Sequence, residues 1–348
     1  MSKETTYHEK YMHRCFELAK LGKGYVSPNP MVGAVLVHND NIIGEGYHQQ
    51  FGEAHAEVNC LNSVAEKDME LISDATLYLN LEPCSHFGKT PPCTDLIIRH
   101  KIKNVVISTL DASDKVNGKG VQRLREHDVN CITGILEKEG SDLNKHFFYF
   151  HKHNLPYITL KYAQSHDGYI GVIGKEIKIS NDATQRYVHQ LRASHQAIAV
   201  GKNTVLSDNP SLTVRFATGK NPIRIVLGSE HAIPKDYHVF NNEASTFFYG
   251  RINDEAITIQ ELLQQLAKNN IISLLVEGGA NVLQQFIDNN AWNEAHIITA
   301  QNNMQIISNE NIDTYIKAPV ISGTLQENCT LQTDNIQVLK NPNALSYS

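Results

Sequence analysis

Two α/β domains in succession are predicted by three observations. The chain has 348 residues, enough for two ordinary domains. Short apolar runs alternate with stretches of helical spacing in both halves, the pattern of layered α/β sheets. Turn-forming residues, Gly140-Ser141-Asp142 and Asn154-Leu155-Pro156, bracket a break between the halves. The expected organisation is a first domain over 1–145, a connector over 146–156 and a second domain over 157–348.

In chain order, Tyr11, Cys15, Leu18 and Ala19 share one face of a helix over 7–20. Val32 to Val37 is an apolar run, and Asn39-Asp40-Asn41 supplies turn chemistry before Ile42-Ile43-Gly44, so a hairpin is expected. A helix over 54–64 and a strand over 76–81 follow. Next come a helix over 94–100, a strand over 104–109, a helix over 121–127 and a strand over 129–133. The aromatic and histidine-rich stretch 146–153 reads as a packed connector rather than a metal site. In the second half, strands are expected over 157–163, 197–200, 223–227, 271–276 and 295–300, with helices over 183–193 and 281–289. Edge strands and loops are expected in the Asn-rich tail from 301.

Composition narrows the function classes. Lys plus Arg total 31 against 37 Asp plus Glu, a net charge of −6. That argues against a nucleic-acid-coating protein but leaves room for a local phosphate pocket. No apolar run approaches the ~18 residues of a membrane span, and the first ten residues carry no signal-peptide core. A cytoplasmic protein is expected, and with it six reduced cysteines rather than disulfides.

The chemistry is concentrated in His55-Ala56-Glu57, Pro83-Cys84 and Cys93. One imidazole and two thiolates bind Zn²⁺ and leave a fourth position for water. Such a metal lowers the pKa of its water to roughly 7. Glu57 is too near His55 in sequence to be a convenient ligand. On the first helical turn it can instead face that water and shuttle its proton to a leaving amine. His-x-Glu with a later Pro-Cys is the pattern of nucleobase deaminases, although here the cysteines are separated by eight residues rather than two. Pro91 and Pro92 stiffen the return of that loop to the metal. Two buried structural cysteines are the plain alternative, but they would not explain His-x-Glu.

Ser27-Pro28-Asn29-Pro30-Met31-Val32-Gly33, Gly46-Tyr47-His48, His55-Ala56-Glu57 and the run from Glu82 through Cys84-Ser85-His86-Phe87-Gly88-Lys89-Thr90-Pro91-Pro92-Cys93 resemble the bifunctional riboflavin biosynthesis deaminase/reductase family. The resemblance implies a cytidine-deaminase-like first domain that removes an amine from a diaminopyrimidinone carrying a ribose phosphate. Asn29, His48 and Lys89 would hold this substrate, Lys89 as a mobile point charge. A solvated loop lysine is the alternative for Lys89, and His86 is a neighbour of the metal ligands or a loop former.

The second half has neither a Gly-x-Gly-x-x-Gly fingerprint nor a phosphate-binding Walker loop. Ser165-His166-Asp167 spells a hydrolase triad, but adjacent residues cannot form its relay. Leu274-Leu275-Val276-Glu277-Gly278-Gly279-Ala280-Asn281 reads as a strand, a glycine turn and a helix start, which suits a phosphate but equally suits an ordinary turn. The family resemblance extends here through Lys161 to Gly168, Arg192-Ala193, Thr204 to Pro210, Leu212 to Arg215, and Glu277-Gly278-Gly279. It implies a dihydrofolate-reductase-like domain that uses NADPH to open a ribosyl group to ribityl. By position, Ala163, Lys178, Thr204, Asp208, Ser229 and Gly279, Ala280, Asn281, Val282, Leu283, Gln284 and Gln285 would meet NADPH. Glu176, Arg192, Leu212, Arg215 and Glu277 would meet substrate, the arginines at its phosphate. Lys161 would be catalytic, with Asp208 and Glu277 also in the polar shell around the ribose. A surface ion pair is the alternative for Arg192, and a turn former for Asp208. Three departures weaken this half: Glu176 and Lys178 stand where Ser and Trp are common, Ser229 follows a strand without the usual acidic residue, and 302–317 lacks a glycine-rich loop.

The sequence thus predicts a zinc- and NADPH-dependent enzyme acting on a pyrimidine ribosylamino phosphate, with no nucleic-acid or membrane partner and with room for a homo-oligomer. A zinc nucleobase or nucleoside deaminase with a non-catalytic second domain is the alternative. A non-enzymatic zinc protein would have no use for Glu57.

Overall fold

The computed structural model describes residues 3–87, 91–112, 117–252 and 255–347. The chain divides into two units, residues 1–153 with 347–348 and residues 154–346. No described helix is long and apolar enough to cross a membrane.

The first unit contains α1 (Lys3–Leu21), β1 (Gly33–His38), β2 (Asn41–Tyr47), α2 (Ala56–Asn62), β3 (Thr76–Leu81), α3 (Cys93–Arg99), β4 (Asn104–Thr109), α4 (Lys119–Arg125), β5 (Asn130–Thr133), α5 (Glu137–Leu143) and α6 (Lys145–His153). Its sheet runs β2-β1-β3-β4-β5. β1 pairs antiparallel with β2 and β3, while β3, β4 and β5 are parallel. Alternation along the strands feeds two cores. Ala34, Leu36, Leu77 and Leu79 pack with Cys60, Leu61 and Ile97 on one face. Val35, Val37 and Tyr78 pack with Tyr11, Met12, Cys15 and Phe16 of α1 on the other. α2 lies so close to β2 that a Cβ on Gly46 would fall 2.2 Å from the Cys60 nitrogen, so only glycine fits there. This contact fixes the start of α2, where His55 and Glu57 sit. The stretch expected to be a connector is α6, a helix of this unit with Phe147, Phe148, Tyr149 and Phe150 buried.

The second unit contains β6 (Tyr157–Gln164), β7 (Tyr169–Val172), α7 (Asp182–Ser194), β8 (Ala197–Gly201), α8 (Lys202–Asp208), β9 (Ile223–Leu227), β10 (Thr246–Tyr249), β11 (Arg251–Ile252), β12 (Glu255–Ala256), α9 (Ile259–Lys268), β13 (Ser273–Val276), α10 (Ala280–Asp288), β14 (Glu294–Thr299), α11 (Met304–Ser308), β15 (Tyr315–Lys317), β16 (Thr324–Leu331) and β17 (Asp334–Lys340). Its main sheet runs β10-β9-β8-β13-β6-β14-β17-β16. The strands from β10 to β14 are parallel, and β17 and β16 close the edge antiparallel. Leu262, Leu266, Leu283 and Phe286 of α9 and α10 cover one face, and Val205 of α8 packs on the other. α7 starts where the Asn181 side chain accepts from the Thr184 amide at 3.0 Å. In the tail, β16 is an edge strand as expected, whereas β17 lies inside the sheet between β14 and β16. In the Ser165-His166-Asp167 run, the Ser165 hydroxyl donates directly to Asp167 at 2.6 Å, closing a turn with no histidine between them.

Candidate active sites

His55 precedes the first turn of α2 in an extended conformation, so its ring projects from the helix start. Cys84 follows β3, and Cys93 opens α3 behind Pro92. Their ligand atoms all lie within 4.8 Å of one another. The His55 Nδ1 is 3.4 Å from the Cys93 sulfur and 3.7 Å from that of Cys84. The Cys93 amide donates to the Cys84 sulfur at 3.3 Å. The Cys93 thiol and the His55 ring together hold the Cys84 thiol well below its ordinary value. A nitrogen and two sulfurs, one already inclined to be a thiolate, make a donor set that suits zinc. Glu57 lies beside it, buried, and burial pushes its carboxyl up.

The wall next to the cage is made of amides and a second histidine. The buried His48 ring stands edge-on to His55 with centroids 5.5 Å apart. Its Nδ1 faces the Ala54 carbonyl at 3.0 Å, and its Nε2 faces the Asn29 amide nitrogen at 3.1 Å. The ring therefore donates through Nδ1 and accepts through Nε2, which makes it neutral, as burial also favours. The loop carrying Asn29 is held by two further asparagines. Asn144 accepts from the Met31 amide at 2.8 Å and donates to its carbonyl at 2.9 Å. Asn80 donates to the same carbonyl at 3.0 Å and accepts from the Gly33 amide at 2.7 Å.

In the second unit, the adjacent parallel strands β9, β8, β13 and β6 end side by side. Ser229 follows β9, Thr204 lies on α8 just after β8, Glu277 to Gly279 follow β13, and Ala163 is near the end of β6. The crevice outside such carboxyl ends is where open α/β sheets take ligands. Thr204 Oγ1 accepts from the Gly279 amide at 3.1 Å. Gly278 packs so closely that a Cβ would fall 2.7 Å from that of Val282, and α10 begins without a side-chain cap. That uncapped start of a nine-residue helix, at the carboxyl ends of the parallel strands, fits a phosphate-bearing dinucleotide.

Beside this turn is a buried ion cluster. Arg192 grips Glu277 with Nε at 2.8 Å and a terminal nitrogen at 3.0 Å, and its other terminal nitrogen donates to the Thr213 carbonyl at 3.3 Å. Lys161 Nζ lies 3.4 Å from the same carboxylate. Burial alone would push the Glu277 carboxyl up, but Arg192 and Lys161 overcome it and hold it at about 2. Burial, and to a lesser extent Glu176, push Asp208 up, opposed by Ser207. Leu212 is buried with φ +55°, a strained left-handed conformation, in the loop that leads to Arg215.

Comparisons with known proteins follow the same division. Residues 5–109 match the model of the cytidine and deoxycytidylate deaminase zinc-binding region, and residues 156–301 match the RibD C-terminal domain. The riboflavin biosynthesis protein RibD of Aquifex aeolicus is 41% identical over 80% of this chain and 83% of its own. That of Bacillus amyloliquefaciens is 39% identical over 84% of each. The chain belongs to the RibD family. Among solved RibD-type structures, a Thermotoga maritima diaminohydroxyphosphoribosylaminopyrimidine deaminase/5-amino-6-(5-phosphoribosylamino)uracil reductase covers 97% of this chain at 33% identity with a TM-score of 0.84. Acinetobacter baumannii RibD covers the same share at 28% identity with a TM-score of 0.87.

Within this RibD chain, the fold brings together His55, Glu57, Cys84, Cys93, His48 and Asn29 as expected from their motifs. Lys89 lies outside the described residues, and His86 is exposed. In the reductase half, Lys161, Arg192 and Glu277 form one cluster. Arg192 spends three donors on Glu277 and Thr213, so it reaches a phosphate only with the donors that remain. Lys178 pairs with exposed Asp182, and Glu176, Ser229 and Arg215 are exposed. Sequence reasoning missed Asn80, Asn144 and His189. For His189 the signal was its place three residues before Arg192, on the same helical face.

Proposed function

We propose that this protein performs two successive steps of riboflavin biosynthesis. The first is hydrolytic deamination of a diaminopyrimidinone bearing a ribosylamino phosphate. The second is reduction of its ribosyl group to ribityl. The reading is carried by one juxtaposition: a His-Cys-Cys cage beside a buried carboxylate, and a Lys-Glu-Arg cluster at the ends of a parallel sheet, on one chain of the RibD family.

Zinc held by His55, Cys84 and Cys93 supplies the Lewis acidity that makes water nucleophilic near neutral pH. Glu57 takes the proton of the attacking water and returns it to the nitrogen that departs as ammonia, leaving a carbonyl in place of the amine. Its raised pKa suits a group that must hold a proton between those two moments. Asn29 presents its remaining amide groups to the pyrimidine, held in place by His48, whose ring offers substrate a face rather than a free nitrogen, and Lys89 meets a phosphate or a polar ring edge.

Ala163, Thr204, Ser229 and the Gly279-to-Gln285 turn, with Asp208 and Lys178, would hold NADPH, which would supply the hydride. Glu176 and Leu212 flank the substrate. Lys161 donates a proton to the sugar ring oxygen as its bond to the anomeric carbon opens and that carbon receives hydride. Glu277 holds Lys161 charged and in place, and Arg215 with the free donors of Arg192 takes the substrate phosphate.

The test supplies the ribosylamino phosphate with and without NADPH and identifies each product by mass. Without NADPH, ammonia and the deaminated ribosyl product are expected. With it, a product richer by two hydrogens should follow. Deamination without any NADPH oxidation would leave a deaminase with a non-catalytic second domain.

A further inference from the structure

His189 has no role in the chemistry so far, yet it sits in the middle of the reductase charges. It lies on α7 one turn before Arg192, and the residue is 4% exposed. The main-chain N–H of Arg215 donates to its Nδ1 at 2.9 Å. A nitrogen that accepts from an amide carries no proton, so the ring is neutral and its only N–H is on Nε2. Nε2 has no hydrogen-bond partner among the described residues. The one side-chain polar atom there that is sealed from solvent without a partner is Thr94 Oγ1, so Nε2 opens to solvent. The ring is braced edge-on against Phe216 at 4.8 Å, and the Arg215 guanidinium lies 6.0 Å from the same phenyl centroid.

The surroundings explain why a histidine serves here. Burial and the nearby charges of Arg192 and Arg215 hold its pKa at about 4. Lys161, Arg192, Arg215 and Glu277 are the charged groups that act on it, three cations and one carboxylate, leaving a net charge of +2. That matches a phosphate dianion without help from a fourth cation. A neutral donor adds a hydrogen bond to the anion without the repulsion that another cation would meet.

We infer that His189 is a substrate-binding residue of the reductase, its Nε2–H donating to the substrate phosphate while its Nδ1 fixes the main chain of Arg215. This deepens the phosphate assignment proposed above and rests on it. No transfer of a proton is involved; the ring stays neutral throughout.

Two variants separate the two nitrogens. In H189N the amide oxygen replaces Nδ1, keeping the bond from Arg215 but removing the far donor. In H189Q the amide nitrogen reaches the position of Nε2 and the near acceptor is lost. NADPH oxidation is followed with the deaminated ribosylamino phosphate and with its dephosphorylated riboside. For H189N the KM for the phosphate form should rise about tenfold to a hundredfold, the loss of one hydrogen bond to a charged group. Its kcat should change little, the riboside should be used as by wild type, and H189Q should recover part of the loss. A KM for H189N equal to that of wild type overturns the inference, as does an equal rise for phosphate and riboside. R215A separates this from the underlying reading. If R215A loses the preference for phosphate and H189N keeps it, only the His189 assignment fails. If both keep it, the phosphate does not bind at this end. Thermal melting and ammonia release by each variant report whether the chain has folded.

Discussion

Glu57 and Glu277 are both buried carboxylates on one chain, and their neighbours push them in opposite directions. Glu57 has sulfurs and a single imidazole about it, and burial raises its pKa. Glu277 is buried as well, but Arg192 and Lys161 hold it at about 2. Burial makes a carboxylate titratable near its working pH only when no cation answers it. The first unit therefore holds a carboxyl whose protonated form burial favours, and the second keeps a fixed negative charge that organises two cations. In the function proposed, one half does proton chemistry with its acid and the other uses its acid to place other groups.

The largest test of this contrast removes the metal cage. Wild type is expected to carry about one zinc per chain, and the Cys84→Ser, Cys93→Ser double variant none, since a site that loses both sulfurs loses its soft donors. Ammonia release should vanish while NADPH oxidation with the already deaminated substrate continues. Metal analysis and the two assays read all three, and zinc retained in the double variant would refute the ligand assignment. Glu57→Gln comes next. The amide keeps the shape but cannot carry the proton, so zinc should stay and ammonia release should drop by about 10²- to 10⁴-fold. Near-normal turnover would mean that Glu57 is not the shuttle.

These two sites were not equally legible in the sequence. His55-Ala56-Glu57 and Pro83-Cys84 put most of the deaminase chemistry on two short runs, because a helix start and a strand end each deliver neighbouring residues to one point. Lys161, Arg192 and Glu277 come from β6, α7 and the end of β13, separated by up to 116 residues, and meet only when the parallel sheet forms. No local pattern announces that meeting, so only the family resemblance pointed to it. The strands were legible because buried parallel strands are continuous apolar runs. The helix α9 went unread although Thr258 and Glu261 form a capping box at its start. The Asn80 and Asn144 clamps were invisible because they grip main-chain atoms of Met31, which no side-chain pattern encodes.

The third test removes the fixed charge. Glu277→Gln leaves Arg192 and Lys161 without their counter-charge, and both cations are largely shielded, their side chains 13% exposed. Breaking such a pair costs about 3–5 kcal/mol, so the second unit should unfold at lower urea. Reduction should fall with it. Lys161→Ala should lower kcat for NADPH oxidation more than it raises KM, because a donor to the opening sugar acts as charge develops. In both variants ammonia release should persist. A parallel loss of deamination would break the independence of the two sites.

The smallest expected effect is the pH dependence of stability that Glu277 confers. Its carboxyl titrates at about 2 in the folded chain, against the ordinary value of 4.5 once unfolded. Below 4.5 the unfolded chain takes up a proton that the folded chain refuses, so acid favours unfolding. The stabilisation is complete above 4.5, declines as pH falls, and is gone near 2. Glu277→Gln has no such proton to bind, so its stability deficit against wild type should shrink in acid. Urea midpoints of the two proteins, measured from about pH 6 down to about pH 3, should converge as pH falls. A constant gap would mean that Arg192 and Lys161 do not depress this carboxyl. Glu277 would then be a hydrogen-bonding group like any other, and the contrast with Glu57 would reduce to burial alone.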